Sequence, residues 1–371
     1  MKGKIKIFSL LLAAVLGAGV LSGCGSSEVK SSKQSEEETS KKEENSELVF
    51  AYNGSAGNLI AFAAEDKGYF KDEGLDVKFE EFNSTSDGIA AMNAGKVDVS
   101  FSFGSNSPLQ YISEGSDLVF IGGYVSGGHP IITKPENAQD YDNSSKHAFA
   151  KSFEGKNVGI LRLYTSQIVW EAALREEGID TSSALTTTEF KKPADLVAAV
   201  RAGQVDVGVI TNGSYTMAKE AGLSVVGYSH DLWPDHICCR GIVTRKYYDE
   251  HPDALKNLLK ALLRAQRDLE ADKEYAISLN AELLNIDKET SEALLFETGQ
   301  TRNTDPNKKG IEDMYNTMVD QGLIEKEFDV DSYIDVNLYK EALKELLEQS
   351  PEDAFYKDQW ELFQKQDESG V

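Results

Sequence analysis

Three cysteines in 371 residues are too few for a disulfide framework. Cys24 stands alone, and Cys238 and Cys239 are neighbours. Adjacent Cα atoms across a trans peptide lie about 3.8 Å apart, shorter than ordinary disulfide geometry allows, so a bond between those two would be strained. No C-x-x-C pair is present, and His129 and His147 lack the spacing of metal ligands, so no metal site is expected. Positive charge is scarce: 38 Lys and Arg against 62 Asp and Glu leave a formal net charge of -24. With no basic stripe to offset it, this excludes a nucleic-acid partner. It does not exclude a small anion, which responds to local backbone dipoles rather than to net charge. G-x-S-x-G, P-loop and H-E-x-x-H motifs are all missing. Acidic pairs such as Glu80-Glu81 and Glu176-Glu177 read as solvated faces. Neither a catalytic residue nor a cofactor is expected, and the chain reads as a monomer.

The composition is otherwise that of a folded protein, 40% apolar and 27% charged, with length for two lobes that each bury a core. Lys2, Lys4 and Lys6 precede an apolar run at 7–21, too short for a comfortable membrane span but typical of an export signal. It ends in Leu21-Ser22-Gly23-Cys24, which resembles the lipobox of bacterial lipoproteins. That resemblance implies a signal peptide over 1–23 and a lipid on Cys24, placing the chain on the extracytoplasmic face of the membrane. Residues 24–47 hold no aromatic residue and read as a solvated tether.

From 48 onward, short apolar strands alternate with helical patterns. Strands are expected at 48–53, 75–82, 97–103, 118–124, 157–162, 184–190, 205–211 and 223–229, and helices at 58–71, 86–94, 165–177 and 193–202. Strand–helix–strand order argues for α/β lobes with parallel pairing. An internal repeat strengthens this. Gly88-Ile-Ala-Ala-Met-Asn-Ala-Gly-Lys-Val-Asp-Val99 matches Leu196-Val-Ala-Ala-Val-Arg-Ala-Gly-Gln-Val-Asp-Val207 in the order and spacing of Ala-Ala, Ala-Gly and Val-Asp-Val. After Tyr247 the pattern turns to amphipathic helices at 251–269, 274–284, 290–297, 310–321 and 338–348, with Pro351 expected to open a last one.

The run AYNGSAGNLIAFAAEDKGYFKDEGLDVKFEEF followed by DGIAAMNAGKVDVSFSFGSNSPLQYISEG resembles the nitrate/sulfonate/taurine/thiamine-pyrimidine solute-binding proteins of ABC importers. The resemblance covers roughly 48–347. It implies a type II periplasmic-binding-protein-like fold. Two α/β lobes with mixed sheets are joined by two crossing strands, near 129–135 and 238–247, and the C-terminal helices brace lobe 1. It divides the chain into lobe 1 at 48–130, lobe 2 at 131–240 and a return to lobe 1 at 241–371. It also implies capture of a small ligand by lobe closure and delivery to ABC permease and ATPase subunits, without turnover.

Ligands of open α/β sheets lie beyond the carboxyl ends of the strands, where this sequence places small polar residues ahead of helices. Asn53, Gly54 and Ser55 follow the first strand, Ser105 and Asn106 the third, and Gly123 and Tyr124 close the fourth. In the second lobe Tyr164, Thr165 and Ser166 precede a helix, and Thr211 and Asn212 follow Val-Asp-Val. Each Ser, Thr or Asn serves equally as a plain helix cap; collectively they mark a ligand cleft. The stretch 232–240 adds Trp233, which could stack on a planar ligand, and His236, which could hydrogen-bond one. It also adds Cys238 and Cys239, of which only one should face the cleft if the segment is a strand. The helix N-termini favour an anion; Trp233, Tyr124 and Tyr164 favour a planar heterocycle such as a thiamine-pyrimidine precursor. Arg162 and Arg240 are the only basic residues expected near the cleft. A pyrimidine-synthesis enzyme of the same fold and a ligand sensor reporting to a membrane kinase stand as alternatives.

Overall fold

The computed structural model describes residues 46–54, 58–82 and 84–368. The export signal, Cys24, most of the tether and Ser55 lie outside the described residues. Among the described residues eleven strands follow one another: β1 Ser46–Tyr52, β2 Leu75–Glu81, β3 Val99–Ser100, β4 Leu118–Ser126, β5 Pro130–Thr133, β6 Asn157–Leu161, β7 Thr186–Phe190, β8 Val207–Val209, β9 Ser224–Tyr228, β10 Ile237–Thr244 and β11 Thr301–Arg302. Ser46 and Glu47, expected in the tether, pair with Leu75 and Asp76 and start the first strand. The strands form two sheets, ordered β11-β4-β10-β3-β1-β2 and β7-β6-β8-β5-β9, each mixing parallel and antiparallel pairs. Each sheet is the centre of one lobe.

The repeat seen in the sequence is one structural unit used in both lobes. In lobe 1 helix Thr85–Asn93 leads into β3 beside β1; in lobe 2 helix Pro193–Ala202 leads into β8 beside β6. The repeated aspartate does the same work twice. Asp98 accepts from the Val49 N–H at 2.8 Å, and Asp206 accepts from the Asn157 N–H at 2.8 Å. Each satisfies a strand N–H where the short third strand starts too late to do so.

The chain crosses from β4 to β5 through 127–129 and returns from β9 to β10 through a short helix, Ser229–Leu232, and 233–236. The crossings therefore lie slightly ahead of the expected positions, and β5 already belongs to the second sheet while all of β10 belongs to the first. They are tied together: His129 N–H donates to Ser229 Oγ at 3.2 Å, and the Gly127 N–H donates to the His236 carbonyl at 3.3 Å. Gly128 has φ +77, and a Cβ there would come within 2.6 Å of Gln300 Cβ, so only glycine lets three chain segments pass this close.

Several expected boundaries shift for local reasons. The helix expected over 58–71 breaks at Gly68, which is left-handed, giving Leu59–Asp66 and Tyr69–Asp72. The pattern at 290–297 divides into Lys288–Glu292 and a single π-helical turn, Ala293–Glu297. The last helix is Ala354–Gln366, capped by Asp353, while Pro351 lies in the turn before it. The long helix Pro252–Ala271 buries Leu255, Leu258, Leu259, Leu262 and Leu263 against lobe 1, with helices Leu59–Asp66 and Asn337–Gln349 on it. Lys260, itself nearly buried, bridges Glu73 at 2.8 Å and Glu345 at 3.1 Å, pinning this brace.

Candidate functional site

Between the lobes lies a cavity of about 580 Å³. From lobe 1 it is lined by Asn53, by Ser84, Thr85 and Ser86 at the start of helix Thr85–Asn93, and by Ser102, Phe103, Gly104 and Asn106 at the start of helix Asn106–Ser113. Lobe 2 contributes Arg162 to Thr165, at the start of helix Thr165–Glu176, and Thr211, Asn212 and Gly213 after β8. His129 comes from the first crossing, Cys238 and Cys239 from β10, and Gln300 from just ahead of β11. Among the described residues that line it there is no carboxylate and one permanent cation, Arg162, which is already paired with Glu189 at 3.1 Å. Beside Phe103, Val125 and Leu163, the polar part of the walls is mostly neutral hydroxyls, amides and backbone N–H groups at helix starts, where partial positive charge accumulates.

Asn106 joins the two lobes directly. Its Nδ2 donates to the Leu163 carbonyl at 2.6 Å, and Thr165 Oγ1 donates to its Oδ1 at 3.0 Å. Leu163 holds φ +64, an uncommon conformation for a branched residue, and that turn aims its carbonyl at Asn106. A second tie runs from Gln321 Nε2 to the Ile168 carbonyl at 2.9 Å. Asn212 Nδ2 closes the rear, donating to the Gly128 carbonyl at 3.1 Å and to Thr298 Oγ1 at 2.9 Å.

Of the residues singled out in the sequence, Asn53, Asn106, Tyr164, Thr165, Thr211, Asn212 and Cys238 line the cavity. Ser105 and Ser166 are buried beside it, each hydroxyl without a hydrogen-bond partner among the described residues. Gly54 borders the first-strand loop outside the lining. Five others are placed elsewhere. Tyr124 is buried in the lobe 1 core, its hydroxyl accepting from the Ala61 N–H at 3.3 Å, because its side of β4 faces the helices. Gly123 is crowded by backbone: a Cβ would lie 1.9 Å from the Asp305 carbonyl oxygen. Trp233 and His236 turn to the far side of the crossing, where they line a separate cavity of about 270 Å³ with Lys309 and Asp313. Arg240 is buried beneath β4, donating to the Val125 and Cys239 carbonyls and to Ser126 Oγ.

Cys238 and Cys239 both line the cavity, against the expectation that one would turn away. The register of β10 on β4 shifts on both sides of Cys239, so the two-residue alternation is broken by a bulge. Sequence reasoning also missed His129 as a lining residue. It is 3% exposed, and neither ring nitrogen has a partner among the described residues. Burial, then the neighbouring His236 and His230 rings, push its pKa down to about 3, so the ring is neutral. His236 stacks on it at 5.6 Å and donates or accepts at Ser229 Oγ, 2.7 Å away; burial pushes its pKa down to about 4. An isolated histidine on a crossing carries no periodic signal, which is why the sequence did not flag it.

Residues 41–285 match the NMT1-like family. A protein of Bacillus subtilis (strain 168) named for binding aliphatic sulfonates is 25% identical over 76% of this chain and 84% of its own. The fold is that of the periplasmic aliphatic sulphonate binding protein SsuA from Escherichia coli, with a TM-score of 0.66 and 20% identity over 79% of this chain and 99% of that one. It is also that of the periplasmic nitrate-binding protein NrtA from Synechocystis PCC 6803, with a TM-score of 0.64 and 18% identity over 82% and 89%.

Proposed function

The chain belongs to the NMT1-like family, and from that premise we propose that it is the extracytoplasmic solute-binding protein of an ABC importer. It captures a small oxyanion of the sulfonate, taurine or nitrate class between its lobes and passes it to permease and ATPase subunits without chemical change. A lipid on Cys24 would hold it to the membrane. The observation that carries this reading is the composition of the interlobe cavity: donors from both lobes, no carboxylate, and a lobe-to-lobe clasp at Asn106. An anion entering it exchanges water for hydroxyl, amide and helix-start N–H donors, and only the closed arrangement presents both sets at once. The names of the relatives agree with this ligand class. Tyr111 and Tyr164 in the lining support a second reading, in which the ligand is a planar heterocycle such as a thiamine-pyrimidine precursor.

A thermal-shift screen against nitrate, bicarbonate, taurine, alkanesulfonates and thiamine-related pyrimidines tests both readings. A ligand at 100 times its dissociation constant adds about 2.7 kcal/mol to folded-state stability. A rise with the oxyanions supports the first reading and a rise with the pyrimidines the second. No rise with either class contradicts both.

A further inference from the structure

The proposed ligand chemistry makes no use of the two thiols that share the cavity. Cys238 and Cys239 are both free, both half-buried and both cavity-lining, with their sulfurs 3.6 Å apart. The bulge in β10 makes this possible, since regular pleating would send them to opposite faces. Their surroundings poise them unequally. A hydrogen bond from Cys238, the Gly104 N–H and the Arg240 charge hold the Cys239 thiol below its ordinary range, while that same shared proton and burial hold Cys238 above it. Adjacency also protects them. Cα atoms about 3.8 Å apart fall short of the roughly 4.4 Å lower end for disulfides, so closing the pair on itself is disfavoured where other thiols oxidise.

We propose that Cys238 and Cys239 form a dithiol site for trivalent arsenicals, soft electrophiles that two neighbouring sulfurs chelate in one ring. The inference relies on the functional reading above only in taking the cavity to be open to small solutes. Soft thiolate sulfur selects soft, thiophilic centres over the hard cations that oxygen donors prefer. No group of three or more His, Cys, Asp or Glu able to hold a metal ion occurs among the described residues, so a ligand needing only two protein donors fits and a tetrahedral metal does not. With an organic arsine oxide, two S–H bonds and the arsenic–oxygen double bond break and two arsenic–sulfur bonds form. The oxygen leaves as water carrying both thiol protons. Arsenic stays trivalent, so no oxidant or reductant is consumed. The third arsenic substituent then occupies the space toward Thr165 and Asn106.

The test uses the purified protein carrying Cys24→Ser, reduced and then exposed to phenylarsine oxide. The expected result is one phenylarsenic group per chain by intact mass, with both remaining thiols lost to a thiol reagent. A small dithiol should reverse it and an equal thiol concentration of a monothiol should not. Cys239→Ser and Cys238→Ser should each abolish the adduct while retaining a cooperative thermal transition. Should either variant fail to fold, the stoichiometry and reversal in the parent protein decide. No adduct, an adduct that survives either substitution in folded protein, or one reversed by the monothiol overturns the inference. Nitrate and alkanesulfonate binding is measured on the arsenic-free protein in parallel. Its absence would count against the proposed function alone, and a missing adduct against the dithiol site alone.

Discussion

Gly123 and Leu163 are single residues whose backbone settings decide what can replace them. A methyl group at Gly123 would meet the Asp305 carbonyl oxygen at 1.9 Å and the Asn303 carbonyl oxygen at 2.6 Å, both backbone. Gly123→Ala should therefore cost about 3 kcal/mol or more, at the severe end of point mutations, read as a large fall in Tm or loss of soluble protein. Leu163 is the opposite case. It is exposed at the cavity mouth with φ +64, so Leu163→Gly removes steric strain worth about 1 kcal/mol and loses little packing. Its Tm should hold or rise slightly. Ligand affinity should fall, because the freed carbonyl no longer points steadily at Asn106. At this scale the sequence was legible where small polar residues end strands, as at Asn53, Asn106, Thr165 and Asn212. It was misleading where a residue's partner lies far along the chain. Nothing near Gly123 announces Asp305, and nothing near Tyr124 announces that helix Leu59–Asp66 takes its hydroxyl.

Elements follow their patterns until one residue breaks the period. The apolar strands and the amphipathic helices of the second half were readable because periods of 2 and 3.6 are enforced by burial. Gly68 cuts one helix and the β10 bulge turns both cysteines inward, and neither alters the composition that periodicity reads. The start of helix Asn106–Ser113 illustrates what an element edge adds. Its first residue reaches across to the start of helix Thr165–Glu176 and so serves as a clasp between lobes. Asn106→Ala removes two interlobe hydrogen bonds worth about 1–2 kcal/mol together, which is roughly ten-fold in dissociation constant. Calorimetry should show that loss with little change in the Tm of the ligand-free protein. An unchanged affinity would mean that the clasp plays no part in closure.

The whole molecule ties its two lobes through crossings that carry buried, neutral imidazoles. His129 faces His236 and His230, and His236 also lies near Arg240. Unfolding exposes both buried rings to water, where each takes a proton as pH falls through about 6.5. The folded state holds them neutral down to about 3 and about 4. Between those limits the unfolded chain binds more protons, so this stability is complete above about pH 6.5 and drains away as pH falls toward 4. The coupled Asp305 and Asp367 carboxyls, both raised by burial, act in the opposite sense, so the informative quantity is a difference. Between pH 7 and 4.5, His129→Asn should lose about 2 kcal/mol less stability than the parent protein in denaturant titrations. Equal losses would show that the ring is not held neutral.

The repeated unit could be read from the sequence because it rests on a local pattern, and the two lobes and two crossings could be read from the family resemblance. The meeting of the lobes could not, because Asn106, His129, Thr165 and Gln300 converge only in three dimensions. That meeting forms the proposed binding site, and its test is calorimetric titration of the purified protein with an alkanesulfonate and with nitrate. One ligand per chain, weakened roughly ten-fold by Asn106→Ala from lobe 1 and also weakened by Thr165→Ala from lobe 2, is the predicted result. No heat with either anion, or binding that both substitutions leave unchanged, would contradict it.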